Sequence, residues 1–250
     1  MISTQILKTI AAKVPANTTN TFFANVLTWH PPQHPNGSKF FTLSPYYLKT
    51  DGLEEQVNDG GVLFENFWQG SKVWPTYYDI KVWAHPNLEG NPKHLWFSYK
   101  CANGIGSETH FDGNSVQPQY FEWRREIFSC KRPVRYPNGR GRRNQVVFTL
   151  LQTKDGSNER LDYITARKRI YVQEYGRLVR QLPEFWDLCE IVCEDGKNLV
   201  ICEVDVPQST QMTIPLLEAL VEDPKVCFGH GLCLAWELLK CQQNGESRPF

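Results

Sequence analysis

The stretch VLFENFWQGSKVW, residues 62–74, reads as a helix, and Pro75 closes it because a proline has no amide hydrogen to continue the ladder. At about 100° per residue, Glu65, Trp68, Gln69 and Lys72 fall on one face. Phe64, Phe67, Ser71 and Trp74 fall on another. Most of the circumference is apolar, so the helix is expected to be buried. A buried helix carrying Glu65 and Lys72 has to turn them toward a cavity, a ligand or compensating partners, since an unpaired charge in a dry interior costs several kcal/mol. A solvated face with a Glu–Lys pair is the plainer alternative.

Outward from this segment, helix and strand patterns mix without regular alternation. Ile6, Leu7, Ile10 and Val14 recur at helical spacing, which predicts a helix over 2–14 ended by Pro15. Residues 21–29 read as a strand, 39–48 as a strand followed by a turn, and 51–61 as a loop. Residues 85–145 are rich in Gly, Pro and Asn and read as an inserted, loop-rich region. A strand follows at 145–151, a long helix from 158 to 182 with Pro183 beyond it, and a strand at 198–206. A short helix at 214–223, a tight FGHG turn at 228–231 and a closing helix at 232–241 complete the chain. The expectation is an α+β fold, one domain over 1–250, with helices packed around a small sheet.

Composition narrows the function. Lys+Arg and Asp+Glu both number 27, so no global charge draws the chain to nucleic acid or membrane, and any such binding needs a local patch. The 8 Cys contain no C-x-x-C pair, which argues against a zinc site and for free thiols in a reducing compartment. Lys8 and Lys13 interrupt the apolar residues at the N-terminus, and no run approaches the roughly 20 apolar residues that span a bilayer. A cytoplasmic location is expected. A Walker A loop, a G-x-G-x-x-G after a strand, G-x-S-x-G and H-E-x-x-H are all absent, which counts against an NTPase, a Rossmann dehydrogenase, a serine hydrolase and a zinc protease. No metal and no cofactor are expected.

Four further constellations bear chemistry. Alternation in NLVICEVDV (198–206) places Leu199, Ile201, Glu203 and Asp205 on one side, so two carboxylates end an apolar strand. They can face a cleft, or the strand can simply leave the core for solvent. The apolar stripe of the long helix is broken by Lys168, flanked by Arg167 and Arg169, which can snorkel or reach an anion. Gly229, His230 and Gly231 open the last helix, where backbone N–H groups can approach a phosphate or merely form a tight loop. The run Lys131, Arg132, Arg135, Arg140, Arg142 and Arg143, with Trp123 and Arg124 just upstream, combines charge with aromatic surface. It suits phosphate contact and stacking, or a solvated loop.

In order, these segments resemble the NADAR superfamily, the NAD- and ADP-ribose-associated domains that include N-glycosidases. FTLSPYYL (41–48) is similar to the family's LSNFY-like segment. Glu65, Gln69 and Lys72 match the spacing of its E-H-x-x-Q-x-x-K helix, with Asn66 where the family usually has His. LVICEVD (199–205) resembles its late strand, although Val206-Pro207 replaces the W-G-x-G that follows, and GHGLCLAWELL (229–239) resembles its final helix. The resemblance implies hydrolysis of a base– or conjugate–ribose bond in a nucleotide or ADP-ribosyl substrate. Glu65, Lys72, Glu203 and Asp205 would carry the chemistry. Trp68, Gln69, Arg167, Lys168, Gly229, His230 and Gly231 would hold the ligand. A nucleic-acid-associated protein using Trp123, Arg124, Arg135, Arg140, Arg142 and Arg143, or a silent ADP-ribose binder, are the alternatives.

Overall fold

A computed structural model describes residues 1–6, 14–26, 33, 38–51, 61–78, 83–84, 95–96, 107–131, 133–134, 145–152, 157–204, 206–209 and 211–249. Along the chain come β1 (Ile2–Ile6), β2 (Thr21–Asn25), a 3-10 turn (Lys39–Leu43), β3 (Lys49–Thr50), β4 (Val62–Leu63), α1 (Phe64–Gly70) and β5 (Lys72–Val73). Next are β6 (Thr76–Tyr78), β7 (Trp83–Ala84), β8 (Leu95–Trp96), β9 (Ser107–Thr109), α2 (Pro118–Ser129), β10 (Phe148–Gln152), β11 (Asn158–Leu161) and α3 (Tyr163–Ala166). A π-helical segment (Arg167–Glu174) precedes α4 (Tyr175–Val179), α5 (Pro183–Cys193), β12 (Asn198–Glu203), α6 (Ile214–Glu222) and α7 (His230–Asn244). The fold class is α+β. Contacts divide the chain into two compact units, residues 1–48 with 167–250, and residues 49–166. The segment 85–145, read as an insert, lies wholly within the second.

The first unit is organised by β12, which pairs in parallel with both β1 and β2. Leu199, Ile201 and Glu203 point to its buried face together with Ile2 and Ala24. Helix α7 lies against this sheet and also packs on α4, α5 and α6. Its residues Leu232, Cys233, Leu234, Ala235 and Leu238 are buried, so it is the central helix of the unit. Burying each large apolar side chain contributes roughly 1.5–3 kcal/mol. On the other face of the sheet, Cys202 meets Val14, Phe23, Val200 and Val204.

The second unit contains an antiparallel sheet of order β11-β10-β5 and the short pairs β3-β4, β6-β9 and β7-β8. Its core is Val73, Trp74, Tyr120, Trp123, Ile127, Val134, Phe148 and Leu150. α1 packs on α2 through Phe67 and Phe128, whose rings lie 5.6 Å apart. Gly70 permits that approach, because a Cβ there would sit 2.8 Å from the Phe128 ring. The Tyr120 hydroxyl donates to the Gly70 carbonyl at 3.0 Å. Asn66 clasps the chain beyond α2, donating to the Cys130 carbonyl and accepting from the Val134 amide.

Several elements differ from their sequence patterns. The helix expected over 2–14 is strand β1 for its first five ordered residues, because β12 takes up its backbone groups from Ile2↔Leu199 to Ile6↔Glu203; residues 7–13 lie outside the described residues. The strand expected at 39–48 is a 3-10 turn, begun by the Ser38 hydroxyl accepting from the Phe40 amide. The helix over 62–74 shortens to α1, since Lys72–Val73 pairs with Phe148–Thr149 of β10. The long helix begins at Tyr163 rather than 158, because residues 158–161 pair with β10 and Asp162 then accepts from the Ile164 and Thr165 amides. Within the region read as loops, Pro118 opens helix α2, where proline's missing amide hydrogen is no loss.

Candidate functional site

Glu65 and Gln69 stand one turn apart on α1. The chain leaves the helix at Ser71, and the side chain of Lys72 reaches back over it. The result is a continuous relay in which the Lys72 ammonium donates to Gln69 Oε1 and Gln69 Nε2 donates to Glu65 Oε1, both at 2.9 Å. The amide is the one group that serves both ends, since its oxygen meets the cation and its nitrogen the anion. Lys72 Nζ also lies 4.4 Å from the centroid of the Trp68 ring, a cation–π contact worth about 0.5–2 kcal/mol. Glu65 and Trp68 are each 8 % exposed. Burial pushes the Lys72 ammonium down to about 8, against the opposing pull of the Glu65 carboxylate. All four side chains of the stripe therefore meet, although Lys72 belongs to a strand.

Glu203 is buried at the end of β12 and is held by the turn that opens α7. Its Oε2 accepts from the Gly231 amide at 2.7 Å, and its Oε1 lies 3.0 Å from His230 Nδ1. His230 Nε2 lies 2.9 Å from the Val26 carbonyl oxygen. A carbonyl only accepts, so Nε2 carries a hydrogen, and one further proton is shared between Nδ1 and Glu203. The negative charge favoured at a helix N-terminus is thus supplied from within the chain. A phosphate at Gly229–Gly231 would have to displace this carboxylate, which corrects the expectation that the turn stands ready for a ligand anion. Asp205 lies outside the described residues.

The basic residues of the long helix also have partners inside the first unit. The Arg167 side chain is 1 % exposed and donates to the carbonyls of Leu220, Val221, Asp223 and Val226, at and just beyond the C-terminal turn of α6. A guanidinium among the last carbonyls of a helix is a favourable cap. Its ring neighbour is Phe228, 5.6 Å from the guanidinium carbon. Lys168 forms an exposed ion pair with Glu222. Both residues, expected to hold a ligand, bind protein groups.

Of the aromatic–basic patch, Trp123 and Arg124 lie buried on α2 rather than on a nucleic-acid-facing surface. The reason is the helical period, which turns both toward the core of the second unit along with Tyr120 and Ile127. The Arg124 guanidinium stacks 5.0 Å from Phe128 and 6.0 Å from Tyr120. A hollow of about 510 Å³ beside it is lined by Phe121, Glu122, Arg125 and Gln152 among others. Arg135, Arg140, Arg142 and Arg143 lie outside the described residues.

Two features carry little signal in the sequence. His110 is fully buried 5.1 Å from Trp123 and 5.5 Å from Tyr120, and burial pushes its imidazole down to about 4. A single histidine in a Gly- and Asn-rich stretch gives no hint of this. Cys189 and Cys241 are buried on the packed helices α5 and α7, and only the i, i+4 spacing of Cys189 and Cys193 could have drawn the eye. Among the described residues no group of three or more His, Cys, Asp or Glu is placed to hold a metal ion, and no helix is long and apolar enough to cross a membrane. No family model, no curated protein and no solved structure matches the chain.

Proposed function

We propose that the chain is an N-glycosidase-type hydrolase that cleaves a base– or conjugate–ribose bond of a nucleotide or ADP-ribosyl substrate, with its chemistry on α1 and β5 as the NADAR resemblance implies. The observation that carries this reading is the ordered Glu65–Gln69–Lys72 relay under the Trp68 ring. Breaking an N-glycosidic bond builds positive charge on the ribose and negative charge on the departing base. Glu65 faces the first, a fixed carboxylate where charge develops. Lys72, poised near 8, is still mostly protonated at pH 7 and gives its proton to the leaving nitrogen. Gln69 sets the distance between them, and Trp68 supplies aromatic surface for the base. Water adds to the anomeric carbon, and its proton returns to the amine.

The experiment is turnover of ADP-ribosyl conjugates and nucleotides, followed by chromatography of the released base or ribose. Wild type should release product, and Glu65→Gln should lower kcat by about a hundredfold or more, the scale of a lost electrostatic or acid–base group. The rate should fall as pH rises through about 8, where Lys72 loses its proton, and Lys72→Met should remove that limb with most of the activity. Binding of ADP-ribose without release by wild type would replace this reading with that of a ligand binder. Salt-sensitive binding of single strands without turnover would replace it with a nucleic-acid-associated role.

A further inference from the structure

We infer that the hollow on α2 is a binding site for a small aromatic anion, a flat base joined to a phosphate, and that adenosine 5′-monophosphate fits its chemistry. The hollow measures about 510 Å³, within the roughly 300–1,000 Å³ of small-molecule sites. It belongs to the second unit, and none of its lining residues is part of the Glu65–Gln69–Lys72 relay. Its occupancy is therefore independent of chemistry at the relay.

The helical period builds one wall. Phe121, Arg124, Arg125 and Phe128 stand at i, i+3, i+4 and i+7 of α2, so two rings bracket two guanidinium groups along one face. Both rings pack against the core of the second unit and are only partly buried. Phe121 meets Tyr120 edge to face with 5.3 Å between centroids, and Phe128 leans on Phe67 at 5.6 Å. Rings braced in this way lose little freedom when a base stacks on them.

The polar groups select an anion. Arg124 is 4 % exposed, and its guanidinium stacks 5.0 Å from the Phe128 centroid, which fixes a positive charge in the wall. Arg125 is exposed, and among the described residues it makes no hydrogen bond or ion pair. Its fork of N–H donors matches the oxygens of a phosphate. Glu122 is the one carboxylate among the lining residues, so positive charge prevails in the hollow. That carboxylate can accept from the hydroxyls of a ribose. Gln152 enters from β10 with an amide that both donates and accepts, the pair of bonds adenine offers at N7 and N6. Phosphate alone would leave the rings unused, and a nucleoside alone would leave the guanidinium groups unused.

The test is calorimetric titration of the full chain with adenosine 5′-monophosphate, adenosine and inorganic phosphate. The nucleotide should bind at least about tenfold more tightly than either part. Arg125→Gln should weaken it about tenfold or more, the scale of a lost charge-assisted hydrogen bond. Phe121→Leu should weaken it about tenfold through lost stacking. Arg125 lies on the surface, so its variant should keep the wild-type unfolding midpoint while losing affinity. Lys72→Met should bind the nucleotide as wild type does, which separates this site from the relay. Absence of nucleotide binding by wild type would overturn the proposal, as would equal affinity for phosphate alone. So would a loss of affinity in Lys72→Met that Arg125→Gln does not share. Nucleotide binding of the expected pattern in a chain that turns over no conjugate would refute the hydrolase and leave this site in place.

Discussion

Burial makes the charge on Lys72 costly to hold. Its amine titrates near 10.5 in the unfolded chain and near 8 in the folded one, so between those values the unfolded chain carries the extra proton. Stability is therefore lowest below about pH 8 and rises as pH climbs toward 10.5, by on the order of 3 kcal/mol from this group. Lys72→Met should abolish that rise, which urea midpoints of both proteins at pH 7 and pH 10 would measure. His110 acts at the acid end. Its imidazole titrates near 6.5 unfolded and near 4 folded, so stability is lost as pH falls through that window. His110→Phe keeps an aromatic ring against Trp123 and should flatten the loss between pH 6.5 and 4; an unchanged acid transition would assign it to other groups. The stripe of Glu65, Trp68, Gln69 and Lys72 was legible because spacing along one segment determines which side chains meet. The union of Glu203 with His230 was not, because it depends on a strand and a turn brought together only by tertiary packing.

At the scale of elements, α7 begins where it does because Glu203 reaches its first turn. A Cβ on Gly231 would lie 2.6 Å from Glu203 Oε2 and 3.3 Å from Ile201. Gly231→Ala should push the carboxylate off the amide and cost about 2–4 kcal/mol, from overpacking plus a strained buried hydrogen bond; a calorimetric midpoint within a degree of wild type would rule this out. α6 depends in the same way on Arg167. Arg167→Met leaves four carbonyls without their buried donor and should cost about 3–5 kcal/mol, with hydrogen exchange quickened along 214–226. The strands at 21–25, 148–152 and 198–203 were readable from their apolar runs. The strands at 2–6 and 158–161 were not, because Ile2-Ser3-Thr4-Gln5-Ile6 becomes a strand through β12, far away in sequence, and Asn158-Glu159-Arg160-Leu161 through the neighbouring strand β10, and their own side chains do not impose it. α2 was hidden for the opposite reason. Its flanks are rich in turn residues, while its own buried face of Tyr120, Trp123, Arg124 and Ile127 includes a cation that breaks the apolar pattern.

For the molecule as a whole, the governing feature is that residues 49–166 form one compact unit between the two stretches of the other. An α+β mixture was evident from unlike elements in irregular order, but a division that returns to its starting unit has no local mark at residue 48 or 167. Its thermodynamic signature can be measured. Ile201 is fully buried in the central strand of the first unit, and Ile201→Ala should remove about 2–5 kcal/mol there. Amides of β1, β2 and β12 should then exchange faster, while those of β10 and β11 keep their protection; equal loss in both sets would show that the units unfold as one.

The pairing of β1 and β2 with β12 has a consequence for synthesis. A ribosome delivers Ile2 nearly two hundred residues before its neighbour Leu199, whereas among the described residues each strand partner within 49–166 is present once that stretch has emerged. Residues 49–166 can pair their strands during translation, while β1 and β2 wait with open edges until β12 has been made. That interval is when this chain most needs a chaperone.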